Sequence, residues 1–131
     1  MIGLDTNVVI RFMMQDDSVQ SPIATRVFDS FTPENPGFVS LVTLIETVWV
    51  LRSSYDASRQ HIQRVIGILL RSRGLRVERS DLVWLALGEY SRGTADFADY
   101  LIARCDVAAG CDYSVTYDRE AAMSAGMRLL K

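Results

Sequence analysis

Short apolar runs, each closed by polar or turn residues and followed by a longer stretch of helical spacing, set the strongest limit on what this chain can fold into. Met1-Ile-Gly-Leu4 stops at Asp5-Thr6-Asn7, after which Val8, Val9, Phe12 and Met13 recur at helical intervals. Asp16, Asp17 and Ser18 break that helix. Ser21-Pro22 reads as an N-cap with proline at the first helical position, ahead of the stripe Ile23, Val27, Phe28 and Phe31. Residues 32–37 form a loop, residues 37–39 a short strand, and Ser40 with Thr43 and Glu46 opens a long apolar helix. Ser58 caps a further helix that ends before Gly74, residues 75–77 form a strand, and Ser80-Asp81 starts a helix through Tyr90, with a turn at residues 91–94. A helix over residues 96–109 stops at Gly110, where a C-terminal glycine belongs. Residues 113–116 then form a strand, residues 119–124 a short helix and residues 127–130 a last strand. Strands alternating with helices predict βα units, and so an α/β fold with a short, mostly parallel sheet covered on both faces.

With 131 residues, no repeat and no linker, the chain is expected to be one domain, 1–131. A hydrophobic fraction of 49% supplies a core, and 14 basic against 16 acidic residues leave no overall positive field for a polyanion. Binding of nucleic acid therefore needs a local basic patch or metal ions. Lys131 is the only lysine, which removes mechanisms built on a catalytic or Schiff-base lysine. Cys105 and Cys111 are too few for a disulfide scaffold or a structural zinc site, and reduced thiols in the cytoplasm fit best. Asp5 interrupts the apolar opening, so no export signal is expected. The longest nearly uncharged run, residues 38–51, is too short to span a membrane.

In an open parallel sheet, ligands bind beyond the carboxyl ends of the strands. Asp5 follows the first strand and Asp118 follows the strand at 113–116, so two carboxylates distant in sequence are expected to converge. Glu46 is the only charge between Phe38 and Leu51, in a segment that reads as buried. A buried carboxylate is costly unless it is paired or bound to a metal. It either salt-bridges an arginine, Arg11 or Arg52, or ligates a cation. Asp96 and Asp99 lie three apart at a helix start, where one serves as N-cap and the other as the favourable acid at N3, or both face a ligand. Gathered together, Asp5, Glu46, Asp99 and Asp118, with Asp96 nearby, could not stay ionised without cations. A carboxylate set with no His or Cys partner suits Mg²⁺ or Mn²⁺. Such ions polarise phosphoryl groups and generate hydroxide from bound water, which makes phosphodiester hydrolysis the natural chemistry.

The other polar candidates weigh less. Arg59, Arg64, Arg71, Arg73, Arg76 and Arg79 share a stretch whose only acid is Glu78, and each is either a phosphate contact or part of a solvated or partner-facing surface. His61, the sole histidine, has no nucleophile motif around it and reads as a surface residue. Trp49 and Trp84 read as core or dimer-interface packing, Met13, Met14, Met123 and Met127 as core filling, and Cys105 as a small buried hydrophobe.

Four segments, Leu4-Asp5-Thr6-Asn7, Glu46 in the helix after Phe38-Val39-Ser40, Ala95 to Ala103 with Asp96 and Asp99, and Val115-Thr116-Tyr117-Asp118, occur in the order and spacing of a known family. Across essentially the whole chain the sequence resembles the PIN-domain ribonucleases, specifically the VapC-type toxins of bacterial toxin–antitoxin pairs. The resemblance implies a three-layer α/β/α fold and a metal-dependent endoribonuclease. In it Asp5, Glu46, Asp99 and Asp118 hold Mg²⁺ or Mn²⁺ and position the attacking water, with Asp96 as a further ligand. Thr116 resembles the hydroxyl residue that supports such a site, and Thr6 and Asn7 would orient Asp5; Arg11, by its place one turn into the first helix beyond the acidic opening, either lies near the site or partners Glu46. A homodimer, a cognate antitoxin protein and an RNA substrate are implied as well. The rival from another class is a PIN module that binds RNA or a protein partner without cutting. Phosphotransfer domains of the response-regulator type and haloacid-dehalogenase-like phosphatases fit less well, since both usually place a lysine near the phosphate.

Overall fold

A computed structural model describes all residues from Met1 to Lys131, and its backbone divides into two compact units, Met1–Ser80 and Asp81–Lys131. The first unit carries β1 (Ile2–Gly3), α1 (Thr6–Met14), α2 (Gln20–Asp29), β2 (Gly37–Val39), α3 (Leu41–Tyr55), α4 (Arg59–Arg71) and β3 (Leu75–Val77). Its three strands form a parallel sheet in the order β1-β2-β3, with Ile2 opposite Gly37 and Phe38 opposite Arg76. Parallel neighbours need crossovers, which the helix pairs α1/α2 and α3/α4 supply. All three strands therefore end on one edge, where Leu4-Asp5, Ser40 and Glu78 emerge. Gly37 is required in β2 because a Cβ there would lie 2.5 Å from the Phe31 ring.

Local chemistry sets the helix boundaries. The Ser40 hydroxyl accepts the Thr43 N–H at 3.1 Å to cap α3, and the Ser58 hydroxyl accepts the His61 N–H at 3.1 Å to cap α4. On α4 the buried stripe Ile62, Val65, Ile66 and Leu69 follows the i, i+3, i+4, i+7 pattern and faces the core. Helix α1 ends where Gln15 enters the left-handed region at φ 52. The Phe12 and Phe28 rings stack at 3.9 Å between α1 and α2. The start of α2 departs from expectation: the helix begins at Gln20, so Ser21-Pro22 is not its cap. Asp17 is the reason, since its carboxylate accepts the N–H groups of Val19 (3.0 Å) and Gln20 (2.7 Å). Ser21 turns inward and donates to the Arg11 carbonyl at 2.8 Å.

The second unit holds nearly all of α5 (Ser80–Arg92), then α6 (Phe97–Ala108), β4 (Val115–Thr116), α7 (Arg119–Ser124) and β5 (Arg128–Leu129). Helix α5 runs two residues beyond the expected end at Tyr90, and β4 is shorter than residues 113–116. Strands β4 and β5 pair in parallel across α7, with Val115 opposite Arg128. They make a two-stranded sheet of their own, so the parallel pairing is as expected while the strands fall into two sheets rather than one. Tyr90, Phe97, Tyr100 and Leu101 are its buried centre, with Tyr90 edge-on to Phe97 at 5.8 Å. Helix α6 ends in a Schellman motif, with Gly110 at φ 93 and the Cys111 N–H donating to the Asp106 carbonyl at 2.9 Å.

Several core assignments are corrected. Trp49 and Trp84 are exposed, which removes core packing and leaves the dimer-interface reading; Met123 is exposed, Met13, Met14 and Cys105 are only half-buried, and Met127 is buried. No helix is long and apolar enough to cross a membrane.

Candidate active site

Asp5 leaves β1 at the carboxyl edge of the three-stranded sheet and occupies the N-cap position of α1. Its backbone is extended (φ −81, ψ 157) and its carbonyl accepts the N–H groups of Val8 and Val9, but its carboxylate makes no cap hydrogen bond. The carboxylate is exposed and is not consumed by its own helix. Two residues of α3 hold the residues on either side of it, Leu4 through its backbone and Thr6 through its side chain. The Thr43 hydroxyl donates to the Leu4 carbonyl at 3.2 Å, and the Thr6 hydroxyl donates to Glu46 Oε1 at 2.7 Å. Thr43 and Glu46 are three residues apart, hence neighbours on one helix face. Thr6 is buried at 6% exposure, so its bond to the carboxylate is fixed and charge-assisted.

Glu46 itself is exposed, which corrects the expectation of a buried carboxylate. Nor does it pair with Arg11, whose guanidinium reaches Gln20, Asp16 and Tyr55 instead. Helix α3 is apolar on nearly every side, with Leu44, Val48 and Leu51 buried and Val42 and Trp49 exposed, so its sequence gave no indication of which face carries Glu46. The edge also carries Glu78, but that carboxylate accepts the Leu41 N–H at 2.9 Å and serves the start of α3. Asn7 is exposed one residue past Thr6.

Within the second unit, Asp96 and Asp99 form a capping box at the start of α6, with the Asp96 N–H donating to Asp99 Oδ2 at 3.2 Å. Asp99 is half-buried and Asp96 exposed. Asp118 caps α7, accepting from Glu120 N–H (2.7 Å) and Ala121 N–H (3.1 Å), while the Thr116 hydroxyl accepts the Asp118 N–H at 3.0 Å. Thr116 thus fixes the backbone of Asp118. Sequence reasoning missed Tyr100 and Ser124: they bond through their hydroxyls, and Tyr100 also accepts the Ala95 N–H at 3.1 Å, just before Asp96. In neither unit do three or more His, Cys, Asp or Glu side chains gather into a ready ligand set. Within each unit the candidate donors, Asp5 and Glu46 in one and Asp96, Asp99 and Asp118 in the other, are carboxylate oxygens alone, a chemistry that suits Mg²⁺ or Mn²⁺ and not a thiophilic metal.

The PIN domain family model matches residues 2–125, and it spans β1, every helix and β4. The chain belongs to the PIN domain family. Its fold is the PIN fold, mixed α/β with short parallel strands. No curated protein matches the chain in sequence. Among solved structures, the chain is similar to the crystal structure of Mycobacterium tuberculosis VapC20, described as a sarcin–ricin loop cleaving toxin. The identity is 22%, covering 100% of this chain and 99% of that one, with a TM-score of 0.47. In this PIN domain each of the four acids of the resemblance stands at or beside a helix start or is tied to one.

Proposed function

We propose that this PIN domain is a metal-dependent endoribonuclease, a VapC-type toxin acting as one domain in the cytoplasm, as a homodimer restrained by a cognate antitoxin. The observation that carries this reading is the pair Asp5 and Glu46. Both carboxylates are exposed, and Asp5 is flanked on both sides by hydrogen bonds from or to α3, yet neither acid is spent on a cap or an ion pair. Asp5, Glu46, Asp99 and Asp118 would hold Mg²⁺ or Mn²⁺, with Asp96 as a further donor. The metal, when bound, supplies an activated water and charge stabilisation at the phosphoryl oxygens. Thr6 holds Glu46 in one orientation, Thr116 fixes the Asp118 backbone, and the capping box holds Asp99. The experiment is incubation of the partner-free protein with tRNA and ribosomal RNA, with and without Mg²⁺ or Mn²⁺. Discrete fragments only with metal support the reading. Intact RNA under every condition supports instead a PIN module that binds without cutting.

A further inference from the structure

Helices α1 and α3 touch at both ends. Thr6 meets Glu46 at the acid end, and Arg11 Nη1 meets the Tyr55 hydroxyl at 3.2 Å at the other. The two helices therefore run in the same direction, and the groove between them leads away from the acids. It has a volume of about 500 Å³, starts at Asn7 and ends at Asp16, Ser54 and Tyr55, with Ile10 and Val50 as its apolar floor. From Asp5 to Arg11 the rise is about 9 Å, and from Glu46 to Tyr55 about 14 Å, at ~1.5 Å per residue.

The far end of this groove is rigid. Arg11 Nε donates to Gln20 at 2.8 Å and Nη1 to Asp16 at 3.4 Å, and Ser21 holds the Arg11 carbonyl at 2.8 Å. The Tyr55 hydroxyl donates to Asp16 Oδ2 at 2.6 Å, and that bond pushes its ionisation above the ordinary 10.0, so it remains a donor. Both Asp16 oxygens are thus engaged. Arg11 Nη2 makes no bond within the protein, and the side chain is 30% exposed. Because Asp16 cancels the Arg11 charge, the cluster is a poor phosphate grip. What it offers is the one free guanidinium nitrogen, Nη2, and the Asn7 amide over an apolar floor, which suits a flat base edge carrying an acceptor.

We propose that this groove is a nucleobase subsite for single-stranded RNA flanking the cut, in which Arg11 Nη2 donates to the O6 acceptor of a guanine, Asn7 contacts the same nucleotide, and Tyr55 with Asp16 holds Arg11 in place. The proposal rests on the nuclease reading above for its substrate class. Arg11 is the specificity-determining residue and Tyr55 a positioning residue.

The test separates the two readings by measuring binding without cleavage. Asp5→Asn protein is titrated with fluorescein-labelled hexanucleotides that contain one guanine or none, and the same series is run with Arg11→Met and Tyr55→Phe added. The guanine-containing RNA should bind about tenfold tighter, a gain lost in Arg11→Met and reduced in Tyr55→Phe. Should Arg11→Met fail to fold by circular dichroism, Tyr55→Phe decides. Equal affinity for every sequence, or a guanine preference that survives these variants, overturns the proposal. No binding of any RNA also overturns it. If guanine-selective binding is found and the parent protein cuts no RNA, the subsite stands and the nuclease reading falls. If the parent cuts RNA with no dependence on Arg11, the reverse holds.

Discussion

The buried hydroxyl of Thr6 donates a 2.7 Å hydrogen bond to Glu46, forty residues along the chain, and so ties the residue after Asp5 to the helix that carries the second acid. A carboxylate on a long exposed side chain otherwise samples several rotamers. Here one oxygen is held while the other is left for a ligand.

Replacing Thr6 with Val keeps the buried shape and removes that bond. Thr6→Val should lose about 1 kcal/mol of stability, the usual net worth of one hydrogen bond, and should lower the cleavage rate by more than that loss accounts for. Thr6→Ser should restore most of the rate. Urea denaturation and single-turnover cleavage of the three proteins check this.

Asp118 has a structural duty that can be separated from a chemical one. Asn is as good an N-cap as Asp. Asp118→Asn should therefore keep its stability within a few tenths of a kcal/mol, whereas Asp118→Ala should lose about 1 kcal/mol; both should abolish cleavage. Thermal melts alongside the RNA assay distinguish the two effects.

Much of this was legible in the chain itself. Ser40 and Ser58 lie one residue ahead of apolar stripes of helical period, and the capping box of Asp96 with Asp99 is visible as an acid pair three apart. The start of α2 was hidden because Ser21-Pro22 imitates a cap, while Asp17, further upstream, wins by accepting two backbone N–H groups; proline is tolerated inside that first turn, where its N–H would go unpaired anyway. The apolar residues around Glu46 on α3 point to burial, and composition carries no information about which face of that helix is left uncovered. The Thr43 bond to Leu4 and the Arg11–Asp16–Tyr55 cluster join residues 39 to 44 apart, which no local pattern announces.

Acid should act on Asp17. Hydrogen bonds from the Gln20 and Val19 N–H groups hold its carboxyl below the ordinary 3.8. A depressed folded value stabilises the fold above the unfolded value, and that contribution disappears as pH falls through the folded one. The melting temperature of wild type should exceed that of Asp17→Ala at pH 6, and the gap should close as pH falls below 3.8. A gap that stays constant with pH contradicts this assignment.

Gly93 has no room for a side chain. A Cβ there would collide with the Tyr100 hydroxyl and Ser124 Oγ. Gly93→Ala should cost about 1–3 kcal/mol, as overpacking does, and should displace Tyr100 from the Ala95 N–H just ahead of Asp96. Denaturant unfolding of Gly93→Ala and of Gly93→Ala with Ser124→Ala, which relieves part of the clash, measures it; the double variant should be the more stable.

The most direct measurement is RNA cleavage by the purified, partner-free protein with Mg²⁺ or Mn²⁺, beside an EDTA control and the Asp5→Asn variant. Asp5 makes no cap hydrogen bond, so the variant should stay folded. Discrete fragments from wild type that vanish with chelator and in Asp5→Asn are the predicted result. Identical RNA patterns from wild type and variant, with either metal on every RNA, would contradict the account.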